Sequence, residues 1–168
     1  SSAGAYNFVA ATALPGDQVT ANDTMVQIIT NHPFPYSENF DNVTEPMVPE
    51  GYTSINETSA GYVNTDDYRN VSPPNAWHMY NSSASSGENL FMIMPGFYGD
   101  YSTSWLTYDF YSESTSDSII VGVLTDPTNP ATFTGIDTLI FATSDVWDSY
   151  ATQLSGYMGT GNHIAFKH

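Results

Sequence analysis

The heptapeptide W-L-T-Y-D-F-Y, Trp105–Tyr111, decides the fold class, because two kinds of side chain alternate along it. Leu106, Tyr108 and Phe110 form one set, and the more polar positions between them form the other. Successive side chains of a β-strand point to opposite faces of a sheet. The stretch therefore predicts a strand with one buried face and one solvated face.

Short β-like runs separated by Gly, Pro, Asn and Ser continue on both sides of this heptapeptide. We predict them at Tyr36–Asp41, Tyr52–Asn56, Trp77–Tyr80, Leu90–Met94, Ser118–Leu124, Thr138–Ala142, Tyr150–Leu154 and His163–Lys167. Many short strands at such spacing are typical of β-sandwiches and jelly rolls. The sequence therefore predicts an all-β chain with a jelly-roll β-sandwich over residues 32–168.

The first 31 residues predict a separate β-hairpin. Strands at Tyr6–Thr12 and Met25–Thr30 flank the turn sequence Leu14–Asp17, in which Pro presets φ and Gly tolerates positive φ. A lone hairpin is marginally stable in water, so it packs on the main domain or another element completes it. The prolines of the segment His32–Pro35 interrupt strand pairing and mark the junction.

The last predicted strand, His163–Lys167, stands at the end of the sequence. Together with the hairpin, it predicts a domain whose sheets are incomplete at both ends. Either the chain is a piece of a longer polypeptide, or neighbouring molecules complete the sheets. In the second case residues 6–30 are donor strands and an open jelly-roll edge is the acceptor. Head-to-tail repetition of such a contact forms a filament when it does not close into a ring.

The charge and composition exclude several function classes. The chain has 18 Asp and Glu against two Lys and Arg, a net charge of −16, whereas nucleic acids and anionic membranes attract basic proteins. Hydrophobic residues make up 40% of the chain and aromatic residues 14%, which does not fit a disordered acidic segment. The absence of Cys excludes a disulfide framework and thiolate metal sites. Few cations and many hydroxyl and amide side chains favour an extracellular location.

Several short motifs follow one another in a specific order after Phe34. They are Pro35–Asp41, Pro49–Tyr52, Pro73–Trp77, Val123 with Asp126-Pro127 and Phe133, and Leu154–Tyr157 with Ile164–His168. In this order and spacing they resemble the cleaved-adhesin and choice-of-anchor J domains of Bacteroidota surface proteins, which are MAM-like jelly rolls. Such domains normally continue into one more strand with an Asp-Asp-aliphatic pair, which the sequence lacks. The hairpin, with Leu14–Asp17 and Ala21–Thr24, resembles the closing strands of Ig-like modules in the same multidomain proteins.

The resemblance implies adhesion or a structural role at a cell surface, and no catalysis by this domain. It also implies a structural Ca²⁺ near the opening strand, where Glu38 and Asp41 are the candidate ligands. Hard cations need several oxygen ligands at once, and carbonyls of Asn39 and Asn42 are near these carboxylates in the chain. The alternative is that both carboxylates are solvated surface groups.

The sequence contains no Gly-x-Ser-x-Gly elbow and no His-Glu-x-x-His motif, and its four His residues show no ligand spacing. We therefore predict that the protein is not an enzyme. Aromatic residues in the loop after Leu90–Met94 predict a platform for a sugar ligand, and the candidate residues are Phe97, Tyr98 and Tyr101. The alternative is that these rings cap the core or contact a neighbouring module.

Glycosylation is a further prediction. Asn-x-Ser/Thr triplets begin at Asn22, Asn42, Asn56, Asn70 and Asn81. The resemblance to Bacteroidota proteins implies a different O-glycan acceptor pattern, Asp-Ser/Thr-aliphatic, which points to Thr24, Ser118 and Thr138. The alternative for all eight positions is chance in an Asn- and Thr-rich chain.

These observations lead to one functional expectation with one alternative. We expect an extracellular, non-catalytic adhesion or structural module of a bacterial surface protein or filament, which assembles through β-strand and apolar contacts with neighbouring modules or identical subunits. The alternative is a carbohydrate-binding accessory domain of a secreted enzyme, with surface glycans as ligands.

Overall fold

The computed structural model describes residues 4–11, 24–81 and 88–168, and within these ranges the regular elements are β-strands and three single 3-10 turns. The strands are β1 Gly4–Ala11, β2 Thr24–Pro33, β3 Thr53–Asn56, β4 Gly61–Asp66, β5 Ala76–Asn81, β6 Leu90–Tyr98, β7 Trp105–Tyr111, β8 Ser118–Leu124, β9 Phe133–Ile140, β10 Trp147–Gln153 and β11 His163–Lys167. The predicted all-β class is confirmed. None of the helical turns in the described ranges has the length and apolar character needed to cross a membrane.

Seven strands form the main sheet, in the order β1–β2–β6–β11–β8–β9, and β3 also pairs with β6. The strand β11 lies in the middle of this sheet, antiparallel to β6 on one side and to β8 on the other. Two ribbons, β4–β5 and β7–β10, form the second layer. The arrangement is a β-sandwich.

The core lies between these two layers. Met92, Val121 and Phe166 are buried on the inner face of the main sheet, where Leu106 and Tyr108 of the second layer pack against the same cluster. The rings of Tyr108 and Phe166 meet edge to face, with their centroids 4.9 Å apart. Edge-to-face contact adds a directional preference to the burial of apolar area. This contact therefore favours one position of the second layer relative to the main sheet.

The opposite face of the main sheet carries a smaller apolar cluster around Phe91, Ile93 and Leu124. The sequence of β8 is almost continuously apolar because this strand is buried on both faces. Its one glycine, Gly122, lies under the ring of Phe133, and a Cβ there would come within 2.6 Å of that ring. The glycine therefore permits the close packing of β9 on β8.

Three predicted strands are confirmed with the same bounds, at Trp105–Tyr111, Ser118–Leu124 and His163–Lys167. The predicted strand at Tyr36–Asp41 is wrong, since this segment forms irregular structure and turns. The side chain of Glu38 accepts hydrogen bonds from the backbone N–H groups of Asn39 and Phe40. Such local bonds compete with a sheet ladder for the backbone donors.

The predicted boundary after residue 31 falls inside β2, which continues to Pro33. At its end β2 pairs in parallel with β6, through His32 with Phe97 and Pro33 with Tyr98. The strand β11 has neighbours on both sides, so the open edge that we expected at the last strand is not there. In the described part of the chain, the main sheet ends instead at β1 and β9.

Candidate functional site

The β1–β2 hairpin is a ribbon with apolar side chains on both faces. Val9 lies opposite Val26 and Ala10 lies opposite Met25, while Phe8 lies opposite Gln27. Directly opposed residues share a face and successive residues alternate, so Val9 and Val26 occupy one face and Phe8 and Met25 the other. All four of these large side chains are exposed, as is Ile28.

Among the described residues, the hairpin pairs with the sandwich near the end of β2. The two parallel pairs between β2 and β6 are supported by the ring of His32, which lies 4.9 Å from Tyr36 and 6.3 Å from Phe97. The outer edge of β1 has no further strand beside it in the described ranges. Within the described part of the chain, the hairpin therefore combines a sheet-edge strand with exposed apolar side chains.

The predicted calcium ligands Glu38 and Asp41 lie in the loop before β3, and local hydrogen bonds use both carboxylates. Glu38 Oε1 accepts from the backbone N–H of Phe40 at 2.7 Å, while Asp41 Oδ2 accepts from Asn39 Nδ2 at 2.6 Å. Asp41 Oδ1 accepts from Ser72 Oγ at 3.2 Å. In the described ranges, three or more His, Cys, Asp or Glu side chains do not cluster as they would around a metal ion. Calcium binding through these residues and backbone carbonyls stays a prediction.

The predicted sugar-binding residues lie at the end of β6 and in the turn that follows it. Phe97 is buried and its ring stacks on Phe34 at 5.4 Å. Tyr101 also meets Phe34, at 5.7 Å, and burial raises the pKa of its phenol. Tyr98 has an exposed ring. A depression of about 390 Å³ separates this region from the loop before β11, and it is lined by Phe97, Tyr98, Gly99, Tyr101 and Gly159 to Asn162.

The three predicted O-glycan acceptors, Thr24, Ser118 and Thr138, are exposed. Ile119 and Leu139 are paired neighbours that pack in the core cluster between the layers. Alternation therefore places Ser118 and Thr138 together on the opposite face of the main sheet. A modification at either hydroxyl would leave the core undisturbed.

The predicted Asn acceptors differ in how far hydrogen bonds already use their amides. Asn56 is exposed, but its Nδ2 donates to Gly61 O at 2.5 Å and its Oδ1 accepts from the backbone N–H of Thr58. Asn70 Nδ2 donates to Pro74 O at 3.1 Å. The remaining positions are exposed Asn42, half-buried Asn81, and Asn22, which lies outside the described residues. Glycosylation at all of them stays a prediction.

A row of aromatic side chains, which the sequence reasoning missed, begins on the outer surface of β4 and β5. Tyr62 lies opposite Tyr80, with ring centroids 5.3 Å apart. The Tyr62 ring also meets His78 edge to face at 5.3 Å, and Asp66 Oδ2 lies 2.5 Å from His78 Nδ1. Tyr62 and Tyr80 are both exposed.

Tyr68 and Arg69 extend this row to the second ribbon. The Tyr68 ring stacks over His78 at 6.2 Å. The Arg69 guanidinium lies 4.1 Å from the Tyr68 ring centroid and 5.4 Å from that of Tyr111 on β7. The Trp147 ring lies 5.6 Å beyond Tyr111. We name as the tyrosine row the side chains of Tyr80, Tyr62, His78, Tyr68, Arg69, Tyr111 and Trp147.

The positive charge of Arg69 in the tyrosine row is paired with Glu113. Glu113 Oε1 accepts a hydrogen bond from the Tyr68 hydroxyl at 2.9 Å and lies 3.9 Å from a guanidinium nitrogen of Arg69. The hydrogen bond to Glu113 raises the pKa of Tyr68, and the nearby Arg69 opposes this shift. The sequence contains a signal for the β4 part of the row, because Tyr62, Asn64 and Asp66 alternate with less polar residues in β4 as Trp105–Tyr111 does in β7.

The comparisons with known proteins bear on the fold. The structure is similar to the solved K2 cleaved adhesin domain of Lys-gingipain, with a TM-score of 0.59. The two are 17% identical in sequence, over 79% of this chain and 88% of that domain. At this identity the likeness shows a shared β-sandwich fold. The sequence matches no family model, and no curated protein matches it.

Proposed function

We propose that the protein is an extracellular, non-catalytic adhesion or structural module of a bacterial surface protein or filament. In this proposal the β1–β2 hairpin joins the module to a neighbour through β-strand pairing and apolar contacts. The observation that carries the proposal is the exposure of Phe8, Val9, Met25 and Val26 on both faces of the hairpin, whose strand β1 is an edge of the main sheet in the described ranges. The similarity to a cleaved adhesin domain supports the adhesive role.

Such a hairpin has physical reasons to acquire a partner. A two-stranded ribbon is marginal in water by itself, and contiguous exposed apolar side chains mark interaction surfaces. Native edge strands are usually protected by charges, Pro or bulges. The eight residues of β1, G-A-Y-N-F-V-A-A, contain neither a charged residue nor Pro. This edge therefore lacks those protections against pairing.

The distribution of charge agrees with assembly through the hairpin. A net charge of −16 opposes close approach of identical chains. The strands β1 and β2 contain no Asp, Glu, Lys or Arg, so contact through them brings the least charge together. The strand β9 is the opposite edge of the main sheet in the described ranges and carries one acid, Asp137. We propose β9 as the acceptor edge when the neighbour is an identical subunit.

The test compares two exposed valines. Val9 in the hairpin is 64% exposed, and Val71 in the loop before β5 is 57% exposed. Val9→Lys and Val71→Lys make the same chemical change, so they alter the net charge equally. Sedimentation velocity over a range of concentrations measures self-association of each. If identical subunits assemble, we expect the wild-type protein to form larger species as its concentration rises. Val9→Lys should abolish these species, whereas Val71→Lys should still form them.

A neighbouring module of the same polypeptide gives a different result. The protein then stays monomeric at all concentrations, and the β1 amides that point away from β2 exchange hydrogen quickly in the isolated domain. In the native surface polypeptide the same amides are protected. The proposal is wrong when the protein is monomeric and the β1 amides exchange equally fast in both contexts.

A further inference from the structure

We propose that the tyrosine row binds a neutral glycan chain, which lies across both ribbons of the second layer. This inference goes beyond assembly through the hairpin, because the hairpin belongs to the main sheet and the row to the second layer. The two proposals therefore stand or fall separately. The row is also distinct from the predicted sugar site at Phe97, Tyr98 and Tyr101.

The aromatic faces of the row are the first argument. Tyr62, Tyr68 and Tyr80 are exposed side by side, although single exposed aromatic residues are the ordinary case. A tyrosine offers a rigid apolar face and a hydroxyl at its edge. A sugar ring is complementary to this arrangement, because one of its faces is lined by C–H groups and its rim carries hydroxyls.

The polar groups beside the rings are the second argument. Asn64 Oδ1 is buried without a hydrogen-bond partner in the described ranges. It borders a depression that Tyr62, Asp66 and Glu45 also line. A buried acceptor without a donor is unfavourable, and a hydroxyl group of a bound sugar is a suitable donor. His78 and Asp66 supply further hydrogen-bonding groups on the same surface.

The local charge selects a neutral ligand. Arg69 is one of only two Lys and Arg residues in a chain with a net charge of −16, and it lies in the middle of the row. Glu113 pairs with Arg69, and Asp66 lies against His78, so the row carries no net positive charge. The acidic remainder of the surface repels anionic glycans. A basic peptide that lay along the row would be repelled by the guanidinium of Arg69.

Affinity gel electrophoresis tests the proposal with defined probes. The neutral probes are hydroxyethylcellulose, galactomannan, arabinoxylan and mixed-linkage glucan, and carboxymethylcellulose is the anionic counterpart of the first. We expect retardation by at least one neutral polymer, and weaker retardation by carboxymethylcellulose than by hydroxyethylcellulose. Tyr62→Ala and Tyr80→Ala should each lower the affinity about tenfold through the loss of one stacking contact.

Tyr98→Ala is the matched control, because Tyr98 is 49% exposed and lies outside the row. Its affinity should equal that of the wild type. Tyr62→Phe keeps the ring and should keep most of the affinity, which separates stacking from damage to the fold. Three results overturn the proposal. The first is that no neutral polymer retards the protein and no neutral glycan on an array binds it. The second is that Tyr98→Ala loses as much affinity as the variants in the row. The third is preferential binding of polylysine, which would identify a basic protein partner instead.

Discussion

Two isoleucines in strands of the main sheet provide the sharpest test of the architecture. Ile164 in β11 is 1% exposed, whereas Ile28 in β2 is 61% exposed. Ile→Ala removes the same three carbons at both positions. At Ile164 the loss of buried area costs about 2.4 kcal/mol at roughly 0.8 kcal/mol per carbon, and the remaining cavity brings the cost to about 3 kcal/mol.

Equilibrium urea unfolding of dilute protein, followed by tryptophan fluorescence, measures this difference. With a denaturant slope of about 2 kcal/mol/M, Ile164→Ala should lower the urea midpoint by about 1.5 M. Ile28→Ala should change the free energy of unfolding by less than about 0.5 kcal/mol. Equal destabilisation by the two variants would refute the exposed position of the hairpin. An unchanged midpoint for Ile164→Ala would refute the central position of β11.

Two further substitutions test individual contacts. Gly122→Ala places a Cβ against the backbone oxygen of Thr134 and within 2.6 Å of the Phe133 ring, whereas at Gly156 the nearest atom is 3.6 Å away. Thermal unfolding should show a loss of about 1–3 kcal/mol for Gly122→Ala and almost none for Gly156→Ala, and equal melting temperatures would contradict the packing of β9 on β8. Burial lowers the pKa of His163 below 6.5, although its bond to Met94 O and the nearby Asp126 oppose the shift. Because the unfolded chain binds this proton more readily, His163 contributes stability above about pH 6.5 that is lost as the pH falls towards its lowered folded pKa. The urea midpoint should therefore fall less for His163→Gln than for the wild type when the pH is lowered from about 7 to about 5. An equal fall in the two proteins would show that other groups cause the loss of stability.

The strands that the sequence predicted with correct bounds are those whose pattern lies entirely within their own consecutive residues. In Trp105–Tyr111 the alternation is local, and in Ser118–Leu124 the apolar run is local. The segment Tyr36–Asp41 has similar residues but is not a strand. Its backbone donors bind the Glu38 carboxylate, and Phe40 has a left-handed φ of 63°. Side-chain capping of this kind does not change the hydrophobic pattern, so periodicity does not detect it.

The position of Phe97 shows how a small irregularity moves a predicted site. The sequence predicts a strand that ends at Met94, and the next residue, Pro95, cannot donate to a sheet ladder. In the structure β6 continues to Tyr98, and the register with β11 shifts between His163 and Ala165, opposite this proline. A bulge tolerates Pro within a sheet. The continued strand buries Phe97 in the core, in agreement with the alternative that these rings cap the core and not with an exposed sugar platform.

The tyrosine row depends on a relation that no local pattern contains. Alternation identifies the outward residues of β4 and of β7, but it does not say that these two ribbons are neighbours. The contacts that join them link residues far apart in the chain, as Tyr68 to Glu113 and Arg69 to Tyr111 show. Their adjacency follows from both ribbons packing on the same inner face of the main sheet. Packing of the core therefore creates the continuous outer surface. Binding of a ligand that spans the row would consequently require both ribbons to be packed side by side on the main sheet.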